Sequence, residues 1–345
     1  MLDLPQPYLL FLADVAERGY AKTAFGLRDW AAERCIGEYA LPGGLSLDLP
    51  RFSPREAYAA GARALVIGVA NPGGVISPAW LPALLDALEA GLDLIGGMHA
   101  KLNEIPDLAA AAARLGRRLI DVRTPPPDIP IASGKKRAGK RLLTVGTDCA
   151  LGKKYTALAL VRAFAARGVD ATFRASGQTG IMIAGGGMPM DAVVADFAAG
   201  AAEMLSPDND PDHWDVIEGQ GSLFHPAYAG VSLALLHGSQ PDVIVLCHDP
   251  SRAVTLGFPG YPLPDLHEAI DLTLRLGART NAAIRCAGVS LNTSQLSEAE
   301  AARAIARVSA TLGLPVADPI RGGPVFEALV DACLTAESSY ERAAS

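Results

Sequence analysis

The chain has 345 residues, of which 50% are hydrophobic and 19% charged, with a formal net charge of −7. That much apolar content fills cores rather than solvating a disordered chain, and the length suits two domains rather than one. The acidic balance argues against a nucleic-acid groove, which needs clustered Lys and Arg, and no apolar run reaches the roughly 18 residues of a membrane span.

From Pro7 to about Val122, short apolar runs alternate with helical patterns. Tyr8–Leu12, Cys35–Ala40, Ala64–Val69, Leu92–Ile95 and Leu119–Val122 are the expected strands. The intervening SPREAYAAGARA and PAWLPALLDALEAG carry apolar residues at helical spacing, which predicts a small parallel sheet with helices on its faces. The run Thr124-Pro125-Pro126-Pro127-Asp128-Ile129-Pro130 then breaks regular structure. The basic stretch after it, Lys135-Lys136-Arg137 with Lys140 and Arg141, reads as a solvated linker. Residues 1–134 are therefore expected to form a Rossmann-like N-terminal α/β domain and residues 135–345 a second α/β domain.

From Arg141 the alternation resumes more strongly. Leu142–Val145, Ala171–Ala175, Asp215–Ile217, Val243–Cys247 and Ile284–Leu291 are apolar without polar alternation, as strands buried on both faces are. Helical patterns occupy Lys154–Ala166, Asp191–Met204, Ala227–Leu236, Leu266–Leu276 and Glu298–Leu312. Between the first of these strands and the first helix lies Gly146-Thr147-Asp148-Cys149-Ala150-Leu151-Gly152-Lys153. Backbone N–H groups of such a loop converge on an anion, the helix adds its positive end, and Lys153 adds a point charge. The second domain is thus expected to be a P-loop NTPase-like, doubly wound parallel sheet. Position 154 is Lys and 155 is Tyr, so the Ser or Thr that ordinarily holds Mg²⁺ after the loop lysine is missing. Lys153 and Lys154 point about 100° apart on a helix and serve different partners. Lys154 can meet a further phosphate or remain solvated.

Two more segments follow buried strands, at the edge where such sheets present their ligands. Arg174-Ala175-Ser176-Gly177-Gln178-Thr179-Gly180 offers neutral donors and acceptors and a guanidinium; the plainer account is a glycine-rich turn with Arg174 in an ion pair. Glu218-Gly219-Gln220-Gly221-Ser222-Leu223-Phe224-His225-Pro226 supplies a carboxylate, a hydroxyl and an imidazole, the makings of an acid/base cluster. Weaker clusters are His237–Pro241, His248-Asp249-Pro250-Ser251-Arg252, the Gly96–Leu102 stretch with His99 and Lys101, and the Asn71-Pro72-Gly73-Gly74 loop.

The five cysteines, Cys35, Cys149, Cys247, Cys286 and Cys333, lack metal-ligand spacing and read as reduced thiols of a cytoplasmic protein. The start MLDLPQPYLLFLADVAERG shows no signal-peptide pattern. Cys149, at a helix N-terminus beside Lys153, has a setting that can acidify a thiol. No GxSxG elbow or HExxH motif occurs, and no metal is expected.

The loop beginning Gly-Thr-Asp, with five residues between its glycines, resembles the P-loop of dethiobiotin synthetase. GTDCALGKKYTALAL, GQTGIMIAGGGMPMDAVVADFAAGA and EGQGSLFHPAYAGVSLALLHGSQPD together resemble the D-glutamate N-acetyltransferase family, and PYLLFLADV, AKTAFGLRDW and ALVIGVANPGG extend the likeness across most of the chain. The resemblance implies acetyl transfer from acetyl-CoA to the amino group of D-glutamate, in D-amino acid catabolism. On that footing Gly146, Thr147, Cys149, Ala150, Leu151, Gly152, Lys153, Lys154 and Tyr155 are expected to bind the coenzyme. Glu218 or His225 is the expected base, with Asp148 a further candidate; Gln178, Gln220 or Ser222 would orient or stabilise the oxyanion; and Arg174, Arg252 or Lys101 would meet the substrate carboxylates. The expected partner is a small amino acid, with neither nucleic acid nor membrane, and the apolar composition favours a homo-oligomer. Two other readings remain open: an ATP-dependent carboxylate-activating ligase, and a non-catalytic nucleotide-binding protein.

Overall fold

The computed structural model describes residues 2–69 and 74–335; the Asn71-Pro72-Gly73 part of the expected loop lies outside them. The chain divides into two compact units, Met1–Pro126 with Gly177–Ala192, and Pro127–Ser176 with Val193–Ser345.

The first unit holds β1 (Tyr8–Ala13), β2 (Cys35–Ala40), β3 (Ala64–Ile67), β4 (Asp93–Gly96) and β5 (Leu119–Asp121). They pair in parallel in the order β2-β1-β3-β4-β5. β1, β3 and β4 are buried along their whole length, which is why their sequences carry no polar alternation. The helix Pro54–Ala59 starts at a capping box made by Ser53 and Glu56, and Pro106–Leu115 ends at Gly116 in the left-handed conformation. The helix Lys22–Trp30 escapes the sequence reading because it has neither a side-chain cap nor an acidic first turn.

After β7 the chain re-enters this first unit. The helix Gln178–Ala184 packs on Lys22–Trp30, with the hydroxyls of Thr23 and Thr179 at 3.0 Å. Tyr8 donates its hydroxyl to the Met182 carbonyl at 3.2 Å, and the Leu4 N–H donates to the Gly185 carbonyl at 3.0 Å.

The second unit contains β6 (Lys140–Gly146), β7 (Ala171–Arg174), β8 (Trp214–Ile217), β9 (Val243–His248), β10 (Val254–Thr255), β11 (Phe258–Pro262), β12 (Arg285–Leu291) and β13 (Val316–Ala317). Six of these form a wholly parallel sheet in the order β13-β12-β9-β6-β8-β7. From β6 the chain fills one side of the sheet with β7 and β8, then crosses to β9 on the other. The connections therefore diverge between β6 and β9, and doubly wound sheets place ligands outside the carboxyl ends of strands at such a point. The antiparallel pair β10–β11 is illegible in sequence because its prolines break any strand pattern. The expected helix Asp191–Met204 begins only at Ala195: Met190–Ala192 form a separate turn in the first unit, and Val194 is extended.

The basic stretch expected to be solvated is partly buried instead. Arg141 is 1% exposed, and its five N–H groups meet five acceptors: the Ser206 hydroxyl and the carbonyls of Arg137, Ala138, Gly139 and Pro207. Ser206 passes its own proton to Asp215 at 2.6 Å, so the buried cation is answered by a buried carboxylate through one hydroxyl. A guanidinium alone has the donors to organise these turns at the start of β6. Arg141→Met is expected to cost about 3–5 kcal/mol, since it strands four carbonyls and leaves Asp215 less compensated. Arg141→Lys recovers only part of this. Urea unfolding monitored by circular dichroism checks it, and a loss below about 1 kcal/mol would refute the role.

Candidate functional site

The loop from Gly146 to Lys153 leaves β6 and enters the helix Lys153–Ala166. Gly152 has φ +101° and Ala150 φ +53°, so the backbone turns twice through left-handed conformations. Glycine adopts that conformation freely, whereas at Ala150 it stores strain of the kind found at ligand clamps. Lys153 is buried and donates from Nζ to the Asp148 carbonyl at 2.7 Å. Burial pushes its ammonium below the usual lysine range, against the opposing pull of Cys247, Cys149, Asp148 and Glu218. Gly219 makes room for it: a Cβ there would stand 1.6 Å from the Thr144 carbonyl oxygen and 3.1 Å from Lys153 Cδ.

Asp148 holds the loop to the segment beyond β9. Its carboxylate accepts from the Cys149 N–H at 2.6 Å, the Leu256 N–H at 2.8 Å and Arg252 Nη1 at 2.8 Å, and Arg252 Nη1 also donates to the Cys149 carbonyl at 2.8 Å. Burial alone would push this carboxyl up, but the two backbone N–H groups and the guanidinium outweigh it and hold it below the usual carboxylate range. Cys149 runs opposite to the expectation from its position. Burial pushes its thiol up and outweighs the lowering pull of Lys153 and Arg252.

His225 is buried, stacked on Tyr228 with ring centroids 4.4 Å apart and edge-on to Phe258 at 5.1 Å. Its Nδ1 accepts from the Ala227 N–H at 3.1 Å, so in the neutral ring Nε2 carries the proton, 3.9 Å from Asp148 Oδ1. Asp148, Cys149 and His225 bring a carboxylate oxygen, a thiol and a ring nitrogen within 4.8 Å of one another. The carboxylate in that group already accepts from three protein donors.

Glu218 is buried, and its Oε2 accepts from the Ser176 N–H at 3.1 Å. Ser176, which the sequence reading gives no role, donates its hydroxyl to the Glu218 carbonyl at 2.5 Å and accepts from Gln220 Nε2 at 2.9 Å. Ser222 is buried and accepts from the Phe224 N–H at 3.2 Å. Lys154 Nζ stands 4.8 Å over the Tyr155 ring. Arg174 gives its Nε to Asp215 at 2.6 Å, the ion pair of the plainer account. Across the switch point Thr147 Oγ1 lies 2.9 Å from His248 Nδ1, a pairing that only the adjacency of β6 and β9 creates.

Two expected site residues belong to the first unit. Gln178, with its amide turned to satisfy both ends, donates to the Gly97 carbonyl and accepts from Arg123 Nη2 at 3.1 Å. Lys101 is exposed, 3.8 Å from Glu104.

Removing the Asp148 carboxylate leaves Arg252 and two N–H groups without their acceptor. Asp148→Ala is expected to lower stability at pH 7 by about 3 kcal/mol. The folded carboxyl titrates below its unfolded value, so its contribution is complete above about pH 4 and is lost as pH falls through the lower folded value. The wild-type advantage in urea midpoint should therefore shrink in acid. An advantage undiminished at the lowest pH where both proteins fold would contradict the ionised tie.

Comparison with known proteins agrees with this geometry. The family described as "Domain of unknown function (DUF1611_C) P-loop domain" matches residues 130–330, and "Domain of unknown function (DUF1611_N) Rossmann-like domain" matches residues 33–125. A D-glutamate N-acetyltransferase from Tritonibacter scottomollicae is 53% identical over 318 residues, covering 92% of this chain and 96% of that protein. Another of the same name from a Pseudoalteromonas species is 44% identical over 323 residues, covering 93% and 97%. The crystal structure of a DUF1611 family protein from Anabaena variabilis superposes with a TM-score of 0.83 at 34% identity, covering 95% of this chain and 99% of that one.

Proposed function

The chain belongs to the DUF1611 family, and from that premise we propose that it is an N-acetyltransferase moving the acetyl group of acetyl-CoA to the amino group of D-glutamate. The two relatives named for this reaction support it, aligned over nearly their whole length. The observation that carries it is a loop with its anion-binding backbone and lysine but with Lys154 where a magnesium-holding hydroxyl would stand. Coenzyme A presents a diphosphate to be gripped and no phosphoryl group to be transferred. In this reading Lys153 Nζ trades the Asp148 carbonyl for a phosphate oxygen, and the loop N–H groups and helix terminus take the rest of the charge.

Asp148 and Arg252 then shape the loop rather than react, since each already satisfies the other. Glu218 acts on the Lys153 charge, and Gln220 and Ser222 line the same cavity as Gly146. The cysteines at 35, 149, 247, 286 and 333 are free thiols, which suits a reducing cytoplasm. A homo-oligomer completes the reading on the ground of apolar composition.

Incubation with acetyl-CoA and D-glutamate, followed by free-thiol release, is expected to show turnover. Lys153→Ala is expected to weaken coenzyme A binding about 10- to 100-fold, the worth of one charged hydrogen bond. Titration calorimetry measures this directly. Tight binding of Mg·ATP with no binding of acetyl-CoA would replace acyl transfer by carboxylate activation.

A further inference from the structure

Amide formation from an ammonium substrate needs a proton acceptor, and the two imidazoles near the phosphate loop differ in their ability to be one. His225 Nδ1 faces the Ala227 N–H, a donor that cannot become an acceptor. A proton added to that ring would set N–H against N–H. His248 Nδ1 faces the Thr147 hydroxyl, which donates or accepts as required. With Thr147 accepting from Nδ1–H, the neutral ring leaves the lone pair on Nε2 to take a proton, and the same hydroxyl goes on accepting in the imidazolium.

Position favours the same residue. His248 is the last residue of β9, and its neighbour Cys247 pairs in register with Gly146, where the loop begins. The ring thus stands at the divergence of β6 and β9, beside the loop proposed to hold the diphosphate. It is half-buried, and its backbone is fixed on the other side by the Asn292 N–H donating to the His248 carbonyl at 2.8 Å.

We propose that His248 is the general base of the acetyl transfer, held in place by Thr147 as a positioning residue; this rests on the acetyltransferase reading above. His248 Nε2 takes one proton from the substrate ammonium. The freed nitrogen lone pair attacks the thioester carbonyl, forming the C–N bond and a tetrahedral oxyanion. Collapse breaks the C–S bond, and the sulfur leaves with the electron pair and takes the imidazolium proton. The second proton of the attacking nitrogen passes to solvent, so the products are the amide, the free thiol and one released proton.

The charged groups that act on the ring are Asp249 and Arg252 on the turn that follows it; Leu291, its partner on β12, and Asn292 just after that strand are neutral. Burial pushes His248 below the usual histidine range, opposed by Asp249 and assisted by Arg252. The ring is therefore unprotonated at neutral pH, and kcat/KM should rise with pH through an inflection below about 6.5 and then level off.

The test compares wild-type, His248→Asn, Thr147→Val and His225→Gln proteins, reading thiol release across pH and coenzyme A affinity by calorimetry. His248→Asn, which keeps a polar partner for Thr147, is expected to lose about 100- to 10 000-fold in kcat. Its acid limb should vanish while coenzyme A affinity stays within about threefold of wild type. Thr147→Val should displace the inflection, and His225→Gln should leave the acid limb in place. Activity of His248→Asn within about threefold of wild type, or parallel loss of coenzyme A binding, overturns the role while leaving the acetyltransferase reading intact. Failure of folded wild-type protein to release thiol from acetyl-CoA with D-glutamate overturns that reading and the base together.

Discussion

The carboxylate of Asp148 is the tie on which the candidate site depends. A phosphate loop must keep its N–H groups free for the ligand, so its shape has to be enforced from outside its own hydrogen bonds. Here one buried acid does this by gathering Cys149, Leu256 and Arg252 around a single charge. Arg252 and Leu256 lie more than a hundred positions from Asp148 in sequence, so one carboxylate ties the loop to the segment after β9. Such a tie is worth more buried than exposed, because loss of either partner leaves an uncompensated charge.

A second buried acid does similar work at the other end of the strands. Asp215 collects Arg174 and Ser206, and Ser206 passes the charge on to Arg141. The Asp215 network draws side chains from β6, β7 and β8 and so ties neighbouring strands together. Gly219 completes the arrangement sterically, since only a residue without a side chain lets the segment after β8 pass the Thr144 carbonyl and Lys153 together.

The loop and the parallel architecture were legible in the sequence because both depend on local spacing: glycines at fixed offsets, and apolar runs buried on two faces. What escaped was whatever depends on the order of strands in space. Nothing near Thr147 announces His248, and nothing near Arg174 announces Asp215, until β6 is set beside β9 and β7 beside β8. The setting of Cys149 is half legible for a related reason: the neighbouring Lys153 is visible in sequence, whereas the burial that outweighs it is not. Arg141 reads as a solvated charge because a guanidinium with five internal acceptors looks, in one dimension, like any other residue of a basic run.

The excursion of Gly177–Ala192 carries a consequence for how this polypeptide can be dissected. The backbone leaves the second unit after Ser176 and returns at Val193, so no single cut releases either unit whole. A fragment ending in the proline-rich stretch would lack the helix that covers Lys22–Trp30 and would leave the hydroxyl of Tyr8 and the amide of Leu4 without their acceptors. The amino-terminal portion emerging first from the ribosome must therefore await the further 66 residues from Pro127 to Ala192 before its own layer is complete.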